Sequence, residues 1–178
     1  LYAEDDFLSR PEFTDPEILR TNLASVILQM LALGLGDMAQ FPFVQAPDSR
    51  NISDGLTLLE ELQAVHPTKR NDKTALTQSG RELSRLPVDP RLAKMVLTAH
   101  KLGALREVII IVAALSIQDP RERPQEKRAA ANEKHGRFDD PDSDFIAFLN
   151  LWNYLEEQQS ELTNSQFRKL CQKDFLAY

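Results

Sequence analysis

Of the 178 residues only Cys171 is a cysteine. No disulfide can form within the chain, and a lone thiol suits a reducing, cytoplasmic compartment. Neither G-x-x-x-x-G-K followed by Ser or Thr nor G-x-G-x-x-G occurs, so nothing cradles the phosphates of a nucleotide. The strand–helix alternation of a nucleotide-binding sheet is missing too. His66, His100 and His135 are scattered and never fall at metal-ligand spacing with Cys171. Acidic pairs such as Glu60-Glu61 and Asp139-Asp140 are sequence neighbours, so their carboxyls point apart and read as solvated faces, not as acid–base pairs. No apolar run reaches the ~20 residues of a membrane-spanning helix. The acidic start, Leu1 to Asp6, is wrong for a secretory leader. Positive charge is short as well: 21 Lys and Arg against 27 Asp and Glu, a formal charge of −6. That excludes a free-standing module gripping nucleic acid through bulk positive field. The chain alone is expected to be non-catalytic, with no metal or cofactor of its own, monomeric, and part of a longer protein.

What is present is helical patterning. Thr14-Asp15-Pro16-Glu17 reads as a capping box with proline in the first turn. Ile18, Leu19, Leu23, Val26, Ile27, Met30 and Leu31 follow at helical spacing, and Gly34 ends the run. A short piece spans Met38 to Phe43. Ile52, Leu56, Leu59, Leu62 and Val65 predict a helix from Asn51 to Val65. Val65-His66-Pro67 and Thr74 to Thr77 flank a basic tip, Lys69-Arg70, and predict a small β-hairpin. Helix, short piece, helix, hairpin is the order of a winged helix-turn-helix. The expected architecture is therefore mainly α: a linker over 1–13, a winged helix over 14–86 and a helical bundle over 87–178.

In the bundle, Thr77 caps a short helix through Leu83 and Leu86, and Asp89-Pro90 opens the next, which ends at Gly103. The stretch 104–118 holds the most apolar run, Val108 to Leu115 with Ile117, and predicts a helix buried on every face. It stops at Asp119-Pro120 and leads into Arg121, Arg123, Lys127 and Arg128, so a greasy helix presents a basic loop. The plain alternative is a core helix with a solvated exit. Asp144 is expected to cap a helix with Phe145, Phe148, Leu149, Trp152 and Leu155 inward. Ser160 to Asn164 reads as a turn, and a last helix carries Phe167, Leu170, Cys171 and Phe175. On the inward face Cys171 suits a packed thiol.

Several stretches, taken in order, resemble the helicase-associated region of DEAH-box RNA helicases, most closely their bacterial branch. They are TDPEILRTNLASVILQMLALGL (14–35), LTQSGRELSRLPVDPRLAKM (76–95), AALSIQDPRERP (113–124), SDFIAFLNLW (143–152), SQFRKLCQKDFLAY (165–178) and LYAEDDF (1–7). The resemblance covers essentially the whole chain. It implies a winged helix and a ratchet-like bundle that pack with two RecA-like motor domains and a small OB-type barrel around single-stranded RNA. ATP and magnesium would belong to those motor domains. The same match places Ser116, Gln118, Arg121 and Arg123 near the strand, where Ser and Gln can bond phosphate or 2′-hydroxyl and Arg can fork onto phosphate. It also makes Arg20 and Asn22 contacts to a neighbouring domain. Two departures stand out: the wing HPTKRNDKTA is more polar than usual, and Ser143-Asp144-Phe145 replaces the commoner Gly-Asp-His. Two rival functions remain from the residues alone. One is a DNA-binding winged-helix regulator using Lys69 and Arg70, although the acidic Asp54, Glu60 and Glu61 would oppose a duplex. The other is a protein-docking module using Phe7 and Phe13.

Overall fold

The computed structural model describes residues 22–66 and 74–178. They fall into two compact units divided between Pro90 and Arg91. The architecture is mainly helical, and among the described residues β-structure is limited to two isolated antiparallel bridges.

The first unit holds α1 (Ala24–Leu33), a 3-10 turn (Met38–Gln40), α2 (Ser49–Glu61) and α3 (Gln78–Leu83). α1 packs on α2, burying Leu23, Ala24, Ile27, Leu28 and Met30 with Ile52, Leu58 and Leu59. Gly55 permits the close crossing: a Cβ there would lie 2.8 Å from Ile27 Cδ1 and 3.1 Å from the Ala24 nitrogen. α1 ends as the sequence predicts, with Gly34 left-handed at φ 69° and the Leu35 amide donating back to the Met30 carbonyl at 2.9 Å.

α2 does not continue to Val65. It ends at Glu61 because Gln63 turns left-handed, at φ 58°, and the Ala64 amide closes the helix on the Leu59 carbonyl at 2.8 Å. The chain then pairs Val65 with Leu76 in a single antiparallel bridge, with His66 donating to Ala75 and Thr77 to Ala64, both at 3.0 Å. The expected hairpin tip, with Lys69 and Arg70, lies outside the described residues, as do the Thr14 capping box, Phe7 and Phe13. Thr77 caps α3 as expected, accepting from the Gly80 amide at 3.0 Å, while its hydroxyl donates to the Gln63 carbonyl at 2.7 Å. α3 stops at Leu83, short of Leu86.

α4 (Pro90–Leu102) opens on its proline and is followed by Gly103 at φ 75°. The second unit continues with α5 (Leu105–Leu115), a 3-10 turn (Gln125–Lys127), α6 (Arg128–Gly136), α7 (Asp144–Glu161) and α8 (Asn164–Lys173). α5 and α8 both pack on α7. The core gathers Phe138, Leu151, Cys171 and Leu176, with Tyr154, Leu155 and Phe167 around it.

Five expectations differ from the structure in this unit. α5 is not buried on every face: Ile110, Ile111 and Val112 are buried, but Ile109 is 47% and Ile117 63% exposed. An apolar helix is covered only where a neighbour lies against it. α7 is rotated from the predicted face. Ala147 and Leu151 point inward while Phe145 and Trp152 are 47% and 45% exposed. Its cap is Ser143, whose extended backbone lets Oγ accept from the Phe145 amide at 3.3 Å; Asp144 is the first helical residue. Finally, Ser160 lies inside α7, and Phe175 lies beyond α8 at φ 56°. The break between α7 and α8 is a capping box, in which Thr163 Oγ1 accepts from the Gln166 amide and the Gln166 side chain accepts from the Thr163 amide. Among the described residues no helix is long and apolar enough to cross a membrane.

Candidate nucleic-acid interface

The loop after α5 is built from its end outward. Ser116 terminates the helix and donates its hydroxyl back to the Val112 carbonyl at 2.7 Å, an intrahelical bond that occupies the donor. Gln118 is exposed. Asp119 then organises the loop. Its carboxylate accepts from the Arg121 amide at 2.9 Å and takes the Arg121 guanidinium in a fork, at 3.0 Å from Nε and 2.9 Å from Nη2. Arg121 is covered further by the Phe148 ring, 4.9 Å from centroid to guanidinium, a favourable placement for a flat cation. Arg123 reaches the same carboxylate more loosely, at 3.8 Å, and donates to the Asn132 side chain at 3.2 Å. Its side chain remains 38% exposed, against 15% for Arg121.

Burial pushes the Asp119 carboxyl up, but hydrogen bonds from Arg121 and the charges of Arg121 and Arg123 reverse this and hold it below the ordinary carboxylate range. Arg121 is raised in turn, chiefly by its bond to Asp119. So of the two arginines that sequence singles out, Arg121 braces the loop and Arg123 is the one turned to solvent. Ser116 and Gln118 belong to the same short segment. Asn22 lies elsewhere, in the first unit, where its Oδ1 accepts from the Ala24 amide at 2.8 Å at the start of α1. Arg20 lies outside the described residues.

The loop is also pinned from the far end of the chain. Arg121 bridges antiparallel to Leu176, Glu122 donates to the Phe175 carbonyl at 2.8 Å, and Ala177 donates to the Pro120 carbonyl at 2.8 Å. Beneath that pairing sits a charged cluster that sequence reading missed. Asp174 is buried at 3% exposure. One of its oxygens accepts from Arg137 and from the Tyr154 hydroxyl at 2.9 Å, while Lys134 stands 3.8 Å from the other. Arg137 lies over the Tyr154 ring at 4.2 Å and the Phe138 ring at 4.5 Å. Burial raises the Asp174 carboxyl; its bonds from Arg137 and Tyr154, with the Arg137 and Lys134 charges, outweigh that and lower it. Tyr154 is pushed up, by burial first and then by Asp174. Cys171 is raised by burial and by the Asp174 charge, which keeps it a thiol and suits packing rather than attack. Only a spacing of 37 residues separates Arg137 from Asp174 in sequence, and no local pattern announces such a pair.

The family profile described as "Helicase associated domain (HA2), ratchet-like" matches residues 89–148. Over its whole length the chain is 67% identical to the ATP-dependent RNA helicase HrpA of Escherichia coli (strain K12) and to its homolog in Haemophilus influenzae. It is 34% identical over 85% of its length to the ATP-dependent RNA helicase DHX33 of Mus musculus. Along its whole length the chain corresponds to one segment of these helicases, the segment that carries the helicase-associated domain. It spans 14% of the two bacterial helicases and 22% of the mouse one. The profile takes in α4, α5, the basic loop and α6. Most of α7, α8 and the Asp174 turn lie past the profile but within the stretch shared with the bacterial helicases.

Among the described residues no group of three or more His, Cys, Asp or Glu is arranged to hold a metal.

Proposed function

We propose that this chain is the accessory wall of an RNA helicase, guiding one strand past the loop 116–123 while RecA-like domains elsewhere in the parent protein hydrolyse ATP with magnesium. The observation that carries this reading is the 67% identity to bacterial RNA helicases along every part of the chain. The loop geometry supports it. A braced Arg121 and an exposed Arg123 on a shared carboxylate offer a phosphate one ready guanidinium without sequence readout. Gln118, exposed beside them, can add a hydrogen bond to phosphate or 2′-hydroxyl. Ser116 contributes only if its hydroxyl leaves Val112.

In the same reading the first unit is a winged helix. Its Val65–Leu76 bridge is the base of the wing. Arg20 and Asn22 face a motor domain, and an OB-type barrel completes the channel. The chain acts as a monomer within its parent, in the cytoplasm. The overall charge of −6 then requires much of the positive lining to come from those other domains. The test is Arg123→Ala in the full-length protein. RNA-stimulated ATP hydrolysis should need more RNA to reach half its maximum; unchanged stimulation together with unchanged RNA affinity would remove Arg123 from the interface.

A further inference from the structure

Two carbonyls surround His135 Nε2, that of Asp174 at 3.0 Å and that of Phe175 at 3.1 Å. Carbonyls only accept, so the imidazole hydrogen sits on Nε2. The ring is buried at 2% exposure, and its Nδ1 is buried with no partner. The hydrogen bonds of this ring within the structure are therefore those of Nε2.

What Nε2 holds is an awkward turn. α8 ends with the Leu176 amide donating to the Cys171 carbonyl at 2.8 Å across a left-handed residue, the arrangement that glycine fills most easily. Here the left-handed residue is Phe175, at φ 56°. The turn delivers Phe175, Leu176 and Ala177 directly onto Pro120, Arg121 and Glu122. The loop that carries Arg123 is therefore set by the turn, and the turn by His135.

We propose that His135 is the positioning residue of the basic loop: its Nε2–H fixes the Asp174–Phe175 turn, and that turn fixes the direction in which Arg123 meets an RNA strand. This rests on the RNA-guiding reading above and names the device that makes its loop rigid. His135 itself touches no RNA. Asp174 serves the same end through its side chain, anchored by Arg137, Tyr154 and Lys134.

The experiment compares His135→Ala, His135→Gln, Arg123→Ala and the double variant His135→Ala/Arg123→Ala in the full-length protein. The readouts are affinity for a labelled single-stranded RNA and the unfolding midpoint of the same preparations. Glutamine can place an amide N–H close to where Nε2 stood. His135→Ala should weaken RNA binding about tenfold, His135→Gln should recover most of it, and His135→Ala should have little further effect once Arg123 is gone. A merely structural role would lower the midpoint without that non-additivity. Wild-type affinity in His135→Ala, failure of glutamine to recover binding, or full additivity with Arg123→Ala would each overturn the proposal. If Arg123→Ala itself binds RNA normally, the RNA-guiding reading of the loop fails first; if only His135→Ala does, the positioning role alone fails. Should His135→Ala not fold, His135→Gln against Arg123→Ala still decides: the proposal requires glutamine to bind nearly as wild type does.

Discussion

Among the described residues two helices end on a left-handed residue that is not glycine, α2 at Gln63 and α8 at Phe175. Both exits close in the same way, with the next amide donating back five residues, and both run straight into an antiparallel bridge, Val65 with Leu76 and Arg121 with Leu176. The locks differ. At α2 the freed carbonyls are taken by neutral groups, the hydroxyl and amide of Thr77, and the seat is made by Gly80, where a Cβ would overlap the Ala64 carbonyl. At α8 the lock is an imidazole on the backbone carbonyls of the turn, beside a buried carboxylate that holds two cations and a hydroxyl. A neutral lock depends on fit. A charged lock depends on pH and on every partner being present.

The largest effect should fall on the neutral lock. Gly80→Ala forces a side chain into a backbone carbonyl and should cost about 3 kcal/mol, read as a lower urea midpoint. Asp174→Ala comes next. Removing one partner of a buried pair strands the others, but Arg137 and Lys134 are each close to two-fifths exposed, so water recovers part of the loss and about 2 kcal/mol is expected. An Asp174→Ala protein as stable as wild type would mean that the cluster contributes nothing to the exit.

The pH response separates the two locks further. Asp174 and Asp119 both titrate below the ordinary carboxylate range, each held down by arginine against the pull of burial. A carboxyl lowered in the folded state contributes stability that is complete above its unfolded value near 4 and is lost as pH falls through its folded value. Urea midpoints should therefore decline below about pH 4, and Asp174→Asn should be less stable at neutral pH yet flatter in acid. An unchanged acid slope in that variant would contradict the assignment.

Smaller effects test the exits one residue at a time. Gln63→Gly should stabilise by about 0.5 kcal/mol, since glycine accepts a positive φ without strain. Phe175→Gly relieves the same strain but loses a ring that lines the cleft of Pro124, Gln125, Glu126 and Lys127, so its net effect should be destabilising, about 1 kcal/mol. Matching signs for the two would erase the contrast. Smallest of all, Arg106→Ala removes an exposed pair with Glu156 between α5 and α7 and should cost about 0.3 kcal/mol.

Much of the helical plan was legible because its signals are local. Gly34, Thr77, Pro90 and Gly103 act within a turn of their own position, and the structure puts them where spacing does. The inward thiol of Cys171 and the basic exit of α5 were legible for the same reason. What escaped was set by distance or by phase. Gln63 and Phe175 take a conformation their side chains do not advertise. The rotation of α7 depends on which neighbour covers it, and Phe145 reads the same in sequence whether it faces in or out. His135 and Asp174 meet across 39 residues, and only the folded chain shows that one scattered histidine bonds the turn beside the loop. Arg121 and Arg123 look equivalent in sequence; Asp119 and Phe148 divide them into a covered brace and an exposed guanidinium.

A contact between Arg123 and an RNA phosphate would carry a salt signature. The most direct measurement is the salt dependence of single-stranded RNA affinity for the full-length protein and its Arg123→Ala variant. Each phosphate contact on a single strand contributes a slope of about 0.7 in log affinity against log salt. Arg123→Ala should bind more weakly at every salt, with a slope shallower by about that one contact. Equal slopes and equal affinities would mean that Arg123 never touches the strand.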